Sequence, residues 1–167
     1  MADFVFDKFK EFLGGAVAVS GTTETVQWNQ NITGGNSTIT AALIVGDMFA
    51  VGSIVQAVDV SAALASVAEY AGTGYVRKGV SGTTISVASP VITFNGNPAT
   101  AWSSLGAASA NCDGMLVLWE PSTTTGDGDN VPLFYFDFKN ATPTNLAFNG
   151  NGGNVTISFS NGMVTLT

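Results

Sequence analysis

Thr38-Ile39-Thr40-Ala41-Ala42-Leu43-Ile44-Val45 begins by alternating polar with apolar residues and ends as an unbroken apolar run. Alternation is the period of a strand with one wet face, whereas a continuous run suits a strand buried on both faces. The segment is of strand length, with Gly34-Gly35 before it and Gly46 after it. Gly114-Met115-Leu116-Val117-Leu118-Trp119 reads as a second buried run, and Leu133-Phe134-Tyr135-Phe136-Asp137-Phe138 as a third strand.

Shorter β-length runs lie outward from these, at residues 16–20 and 25–29. Residues 82–88 alternate through Thr84, Ile85, Ser86 and Val87, and residues 91–94 end at the turn chemistry of Asn95-Gly96-Asn97-Pro98. Residues 155–160 and 163–167 flank Asn161-Gly162, the dipeptide of a type I′ hairpin. Only two segments carry helical spacing. In residues 3–13, Phe4/Val5, Phe9 and Phe12/Leu13 share a face, Asp3 and Asp7 sit early, and Gly14-Gly15 stops the run. In residues 61–70, Ser61 is placed to cap, with Leu64, Val67 and Ala68 as the apolar stripe. The expected fold is mainly β, an antiparallel β-sandwich or barrel of jelly-roll-like kind, with a short N-terminal helix and one further short helix. Residues 1–15 are expected to form a helical docking segment, and residues 16–167 a single β domain.

The N-terminal segment differs in character from the rest of the chain. Lys8 and Lys10 are two of the five basic residues, and Phe4, Phe6, Phe9 and Phe12 four of the 11 phenylalanines. So short a helix is not stable alone. It either packs on its own sheet or docks onto a neighbouring subunit, and those four phenylalanines are the candidate interface residues.

Charged residues make up 10% of the chain, against about 25% in an average soluble protein. Thr, Ser, Asn and Gly take their place, giving a neutral hydrogen-bonding surface suited to burial against other subunits. The net charge of −7 and the absence of a Lys/Arg stripe argue against nucleic acid. No segment reaches the roughly 18 apolar residues needed to span a bilayer. Residues 41–60 come nearest, but Gly46, Asp47, Gly52, Gln56 and Asp59 interrupt them. The acidic start is not that of a signal peptide.

With one cysteine, Cys112, and no histidine, the chain offers no intramolecular disulfide, no Cys/His zinc site and no Ser-His or Cys-His pair. Cys112 is expected to be a small buried hydrophobe. Gly126-Asp127-Gly128-Asp129-Asn130 has oxygen donors at alternate positions, as calcium loops do, but lacks a distal bidentate Glu. The expectation is a polar loop without metal, and no cofactor. Arg77-Lys78 reads as a solvated basic pair, and Gly72-Thr73-Gly74-Tyr75 as a tight turn beside a packed tyrosine rather than a phosphate loop. Asp113, Glu120 and Asp137 have no spacing that marks a carboxylate pair for hydrolysis. The Asn-X-Ser/Thr triplets at Asn31, Asn36, Asn140 and Asn154 are expected by chance in so Asn/Thr-rich a chain.

The order of these marks resembles a group of small virion structural proteins of tailed bacteriophages. The opening Met1-Ala2-Asp3-Phe4-Val5-Phe6-Asp7-Lys8-Phe9-Lys10-Glu11-Phe12-Leu13 is similar to their short N-terminal helix. Glu69-Tyr70-Ala71-Gly72-Thr73-Gly74-Tyr75 comes next, then residues 84–87 and 91–94, Trp102, and the run at 114–119. A polar Thr/Gly loop leads to Pro132-Leu133-Phe134-Tyr135-Phe136-Asp137-Phe138 and the closing strands. Between Gly14 and Ser61 the likeness is poor. The resemblance implies a non-enzymatic virion part with a β-sandwich-like body and brings no catalytic or cofactor residues. On that reading the chain is a capsid decoration or cement protein, made in the host cytoplasm and held on the capsid surface. Its partners are the major capsid protein or other virion proteins and its own copies, a trimer being favoured. The alternative is a tail, baseplate or fibre component at a host surface, where Tyr75, Trp102 and Trp119 could stack on carbohydrate if exposed, although a core role is the expectation for each. A carbohydrate-processing enzyme has no positive mark in the sequence.

Overall fold

A computed structural model describes residues 3–7, 17–18, 25–26, 38–48, 56–88, 91–98, 102–121, 126–139, 145–157 and 164–166. The described chain is mainly β, and every strand pairing in it is antiparallel. In chain order the elements are β1 (Asp3–Val5), β2 (Val17–Ala18), β3 (Thr25–Val26), β4 (Thr38–Val45), α1 (Val60–Ala63), β5 (Ala68–Glu69) and β6 (Lys78–Ala88). They continue with β7 (Val91–Pro98), β8 (Trp102–Leu105), β9 (Gly114–Glu120), β10 (Val131–Asp137), β11 (Gly153–Val155) and β12 (Val164–Leu166). The main sheet runs β1-β10-β9-β4-β6-β7-β12, with β5 also on β4, while β8–β11 and β2–β3 form two small sheets.

The centre of the sheet is the part predicted to be buried on both sides. Strand β4 pairs with β9 from Thr38↔Glu120 to Ile44↔Gly114. Ile39, Ala41 and Leu43 point to one apolar cluster with Met115, Val117 and Trp119. Ala42 and Ile44 point to another with Leu116 and Leu118. The alternation of side chains along a strand divides one apolar run between two cores.

The first core is closed by Trp102 and Leu105 of β8, by Tyr70 and Cys112, and at its margin by Phe148, Val155 and Ile157. The second is closed by Phe6, Met48, Ala57 and the Val60 and Ala63 face of α1. In β10 the register shifts between Pro132 and Phe134, so Leu133 is an extra residue. That bulge lets neighbouring Leu133 and Phe134 both reach the first core, and a bulge is where a strand tolerates proline. Strand β6 pairs with β4 only at Gly79 and Lys78, then with β7 from Val80 to Ala88.

Four expectations are corrected. Residues 3–5 are a strand, not the first turn of a helix. The edge of β10 offers unpaired backbone groups, which Asp3↔Phe136, Phe4↔Tyr135 and Val5↔Phe134 satisfy. Phe6 N–H then donates to Leu133 O, and the backbone is helical at Asp7. Residues 8–13 of the expected helix lie outside the described residues.

The second expected helix shrinks to four residues, and its cap is Asp59 rather than Ser61. The Asp59 carboxylate accepts the Ala62 N–H at 2.7 Å. Ala68 and Glu69 become strand β5, because β6 leaves the far end of β4 unpaired and β5 fills it at Ile44 and Val45. Third, Asn95-Gly96-Asn97-Pro98 is not a turn: β7 runs through it, pairing Asn95 with Thr84 and Pro98 with Val80. Fourth, Val155 pairs with Trp102 of β8, and Val164–Leu166 with β7, so these stretches belong to different sheets. Asn161-Gly162 lies outside the described residues.

Gly114 sits where β4, β9 and β10 meet, and a Cβ there would fall on the Tyr135 hydroxyl and ring. Replacing Gly114 with Ala is expected to destabilise the protein by about 3 kcal/mol, the upper end of overpacking costs. Urea unfolding of the two proteins measures it.

Candidate functional site

Among the described residues a group of charged side chains is centred on Arg77, just before β6. Its guanidinium lies between two carboxylates from different elements. Nη1 and Nη2 donate to Asp127 Oδ1 and Oδ2 at 2.7 and 2.9 Å. Nη2 also donates to Glu69 Oε2 at 2.8 Å, and Nε lies 3.1 Å from both Glu69 oxygens. Glu120 Oε1, at the end of β9, is a looser partner at 3.8 Å and accepts the Thr40 hydroxyl at 2.9 Å. Only 21% of the Arg77 side chain is exposed. The solvated basic pair is thus corrected: Arg77 is the hub of a half-buried ion network. Sequence spacing could not show it, since Glu69, Glu120 and Asp127 arrive from β5, β9 and a distant loop.

Tyr75 extends the network inward. Gly74 takes a φ of +80°, which closes the 72–75 turn with a bond from Tyr75 N–H to Gly72 O at 3.0 Å. The Tyr75 hydroxyl donates to Glu69 Oε1 at 2.5 Å and accepts the Leu43 N–H at 3.0 Å. Tyr70 packs edge-on against Tyr75 and holds its own hydroxyl 2.9 Å from Gly106 O and 2.7 Å from Asn149 Oδ1. The expected tight turn beside a packed tyrosine is present.

This arrangement is structural chemistry. Burial, and then the Glu69 charge, push the Tyr75 phenol up, so it stays protonated. Bonds to Asp127, then to Glu69, outweigh burial and hold the Arg77 proton more tightly than water does. A guanidinium so occupied has no fork left for an anionic ligand. Cys112, fully buried, has its thiol pushed up to about 12 by burial, which leaves no thiolate for nucleophilic chemistry. Asp127, the first carboxylate of the calcium-like loop, is turned to Arg77. Among the described residues no group of three or more His, Cys, Asp or Glu side chains could hold a metal ion.

The four candidate interface phenylalanines do not come together as a described site. Phe6 is fully buried in its own chain's second core, as packing on its own sheet requires. An apolar ring shielded by its own sheet has no free surface to offer. Phe4 has its backbone in β1, and Phe9 and Phe12 lie outside the described residues. Of the three aromatics considered for sugar stacking, Trp102 and Trp119 are buried and Tyr75 is half-buried. Trp102 Nε1 is spent on Val76 O at 2.8 Å. Asp113 accepts the Gly46 N–H at 3.1 Å, and Asp137 is buried in β10.

The outer surface is the remaining candidate. Among the described residues with defined burial, Lys139 is the one charged residue that is exposed. The other exposed positions include Ser61, Ala62, Ala65, Ser103, Ala107 and Ala110, with asparagines at 145, 149, 151 and 154. An apolar groove of about 320 Å³ opens among Phe138, Leu146, Phe148, Val155, Thr156 and Ile157, and Leu146 is half exposed at its rim. Comparison with protein-family models, curated proteins and solved structures gives no match for this chain.

Replacing Arg77 with Ala strands Glu69 and Asp127 half-buried without their cation. A loss of about 2 kcal/mol is expected, between the ranges for exposed and buried pairs. Lys at 77 restores only part of it, because one ammonium cannot bind two carboxylates as a planar fork does. Acid gives an independent check. Arg77 holds the Asp127 carboxyl below its ordinary value of 3.8. A lowered folded pKa contributes stability above the unfolded value, lost as pH falls through the folded one. Unfolding free energy is expected to fall as pH drops from about 5 through the carboxylate range, and less steeply in Asp127→Asn than in the parent.

Proposed function

We propose that this chain is a non-enzymatic structural protein of a tailed-bacteriophage virion. It acts as a decoration or cement protein that stabilises the head by association. The reading takes the main sheet and its β8–β11 cover as a sandwich of jelly-roll-like kind. It places the protein on the capsid surface as a trimer in contact with the major capsid protein, without nucleic acid or membrane.

One observation carries the proposal: among the described residues with defined burial, Lys139 is the one charged side chain that is exposed, and most exposed positions are small or uncharged polar residues. Burying such a surface against a partner strands few charges, each of which would cost several kcal/mol unpaired. Gly and Ala lose no rotamer freedom when buried and Ser little, so the entropic cost of contact is low. Modest contacts repeated over a symmetric shell sum to a large effect. The similarity in motif order to phage virion proteins points the same way. The carbohydrate-binding alternative loses support because Trp102 and Trp119 are buried.

The test is made on particles. Those lacking the protein are expected to assemble but to lose DNA at lower temperature or under osmotic stress. Glu at exposed Ala107 and Ala110 is expected to reduce occupancy on particles, while changing the free protein's stability by less than about 0.5 kcal/mol. Particles as robust without the protein as with it, but poor in host adsorption, shift the assignment to a tail or fibre.

A further inference from the structure

Residues 149–153 read Asn149-Gly150-Asn151-Gly152-Gly153, two Asn-Gly pairs in succession. Asn-Gly is the dipeptide most open to intramolecular attack. With no Cβ on glycine, its amide nitrogen can swing without hindrance onto the asparagine side-chain carbon. The reaction needs that nitrogen free of other bonds, so the fold decides which pair reacts.

The two pairs are held differently. At the first, Gly150 is buried and its N–H donates to the Tyr70 hydroxyl at 2.8 Å. The Asn149 carboxamide is clamped as well. Its Oδ1 accepts the Ala108 N–H at 2.9 Å and lies 2.7 Å from the Tyr70 hydroxyl, and its Nδ2 donates to Ala108 O at 3.1 Å. Attack there requires several bonds around a buried tyrosine to open together.

At the second pair, Asn151 and Gly152 are both exposed. A single bond restrains the nitrogen, from Gly152 N–H to Leu105 O at 2.8 Å, at the margin of the two-stranded β8–β11 sheet. The side-chain carbonyl accepts the Gly153 N–H at 3.0 Å. That contact polarises the carbonyl toward attack and need not break. Local opening at a sheet margin costs far less than opening of a core.

We propose that Asn151 is a spontaneous modification site of this protein, and that Tyr70 guards Asn149, the same dipeptide two residues earlier, from the same reaction. Gly152 N, deprotonated by solvent base, forms a bond to Asn151 Cγ. The Cγ–Nδ2 bond breaks, and ammonia leaves with the proton. Water then opens the cyclic imide at either carbonyl, giving aspartate or isoaspartate at 151. The net change is one water consumed and one ammonia released, without oxidant or reductant. The product is a carboxylate on a surface whose described exposed residues include a single charge, that of Lys139.

Peptide mapping by mass spectrometry tests it on the full chain held in warm, mildly alkaline buffer. The amide-to-acid mass gain and the separate elution of isoaspartyl peptides are followed at each site. In the folded protein Asn151 is expected to convert at least about tenfold faster than Asn149, since each 1.4 kcal/mol of extra opening free energy slows reaction tenfold. In urea the two rates should converge. Tyr70→Phe should accelerate Asn149 and leave Asn151 unchanged. Equal folded-state rates at the two sites, or faster reaction at Asn149, overturn the assignment. If Tyr70→Phe fails to fold, comparison of the parent protein with and without urea still decides it, because guarding requires Asn149 to speed up most on unfolding.

Discussion

The pairing of β4 with β9 over Thr38 to Ile44 takes two strands away from water on both faces at once. Each fully buried aliphatic side chain there contributes about 1.5–3 kcal/mol, but only where a second layer covers it. The placement of the other elements results from that requirement. Phe6, α1 and Met48 cover one face, while Trp102, Leu105 and Tyr70 cover the other. Strand β1 closes the outer edge of β10, and β5 closes the end of β4 that β6 leaves open. Residues 3–6 are therefore part of the sheet and its core.

Burial on this scale leaves few places for charge. Arg77, Glu69, Glu120 and Asp127 resolve the problem by meeting at the sheet margin, where a guanidinium fork satisfies two carboxylates and tethers the 126–130 loop to β5 and β6. A half-exposed network avoids the full desolvation cost of a deep ion pair. Among the described residues with defined burial only Lys139 is left as an exposed charge, and the proposed assembly role rests on that surface. The same scarcity of charge gives a change at Asn151 physical weight, because a new carboxylate is a larger perturbation where few charges stand.

Legibility in the sequence depends on interaction range. The central strands could be read because alternation and unbroken apolar runs report burial residue by residue, and β4, β9 and β10 carry that signal clearly. The 72–75 turn could be read because positive φ is a local demand that glycine meets. The helix expected at 61–70 failed because its apolar spacing competes with the need of Ile44 and Val45 for a pairing partner, which lies in β5. Asn95–Pro98 failed in the same way: turn-forming residues were recruited to a strand by the partner beside them.

The sequence alone determines the β class of the chain, its two-faced central strands, its low charge, and the exclusion of histidine- and disulfide-based chemistry. Each of these depends on composition or on contacts within a few residues. Only the tertiary structure decided that Phe6 is core, that Arg77 is a half-buried hub, and that Trp102 and Trp119 are closed to ligands. It also decided that one Asn-Gly pair is clamped around a buried tyrosine while the next is exposed and its glycine nitrogen held by a single bond. All of these depend on groups brought together from distant parts of the chain, as when Tyr70 meets Asn149 or Arg77 meets Asp127. No local pattern encodes such meetings, because they arise when separate strands bury a shared surface.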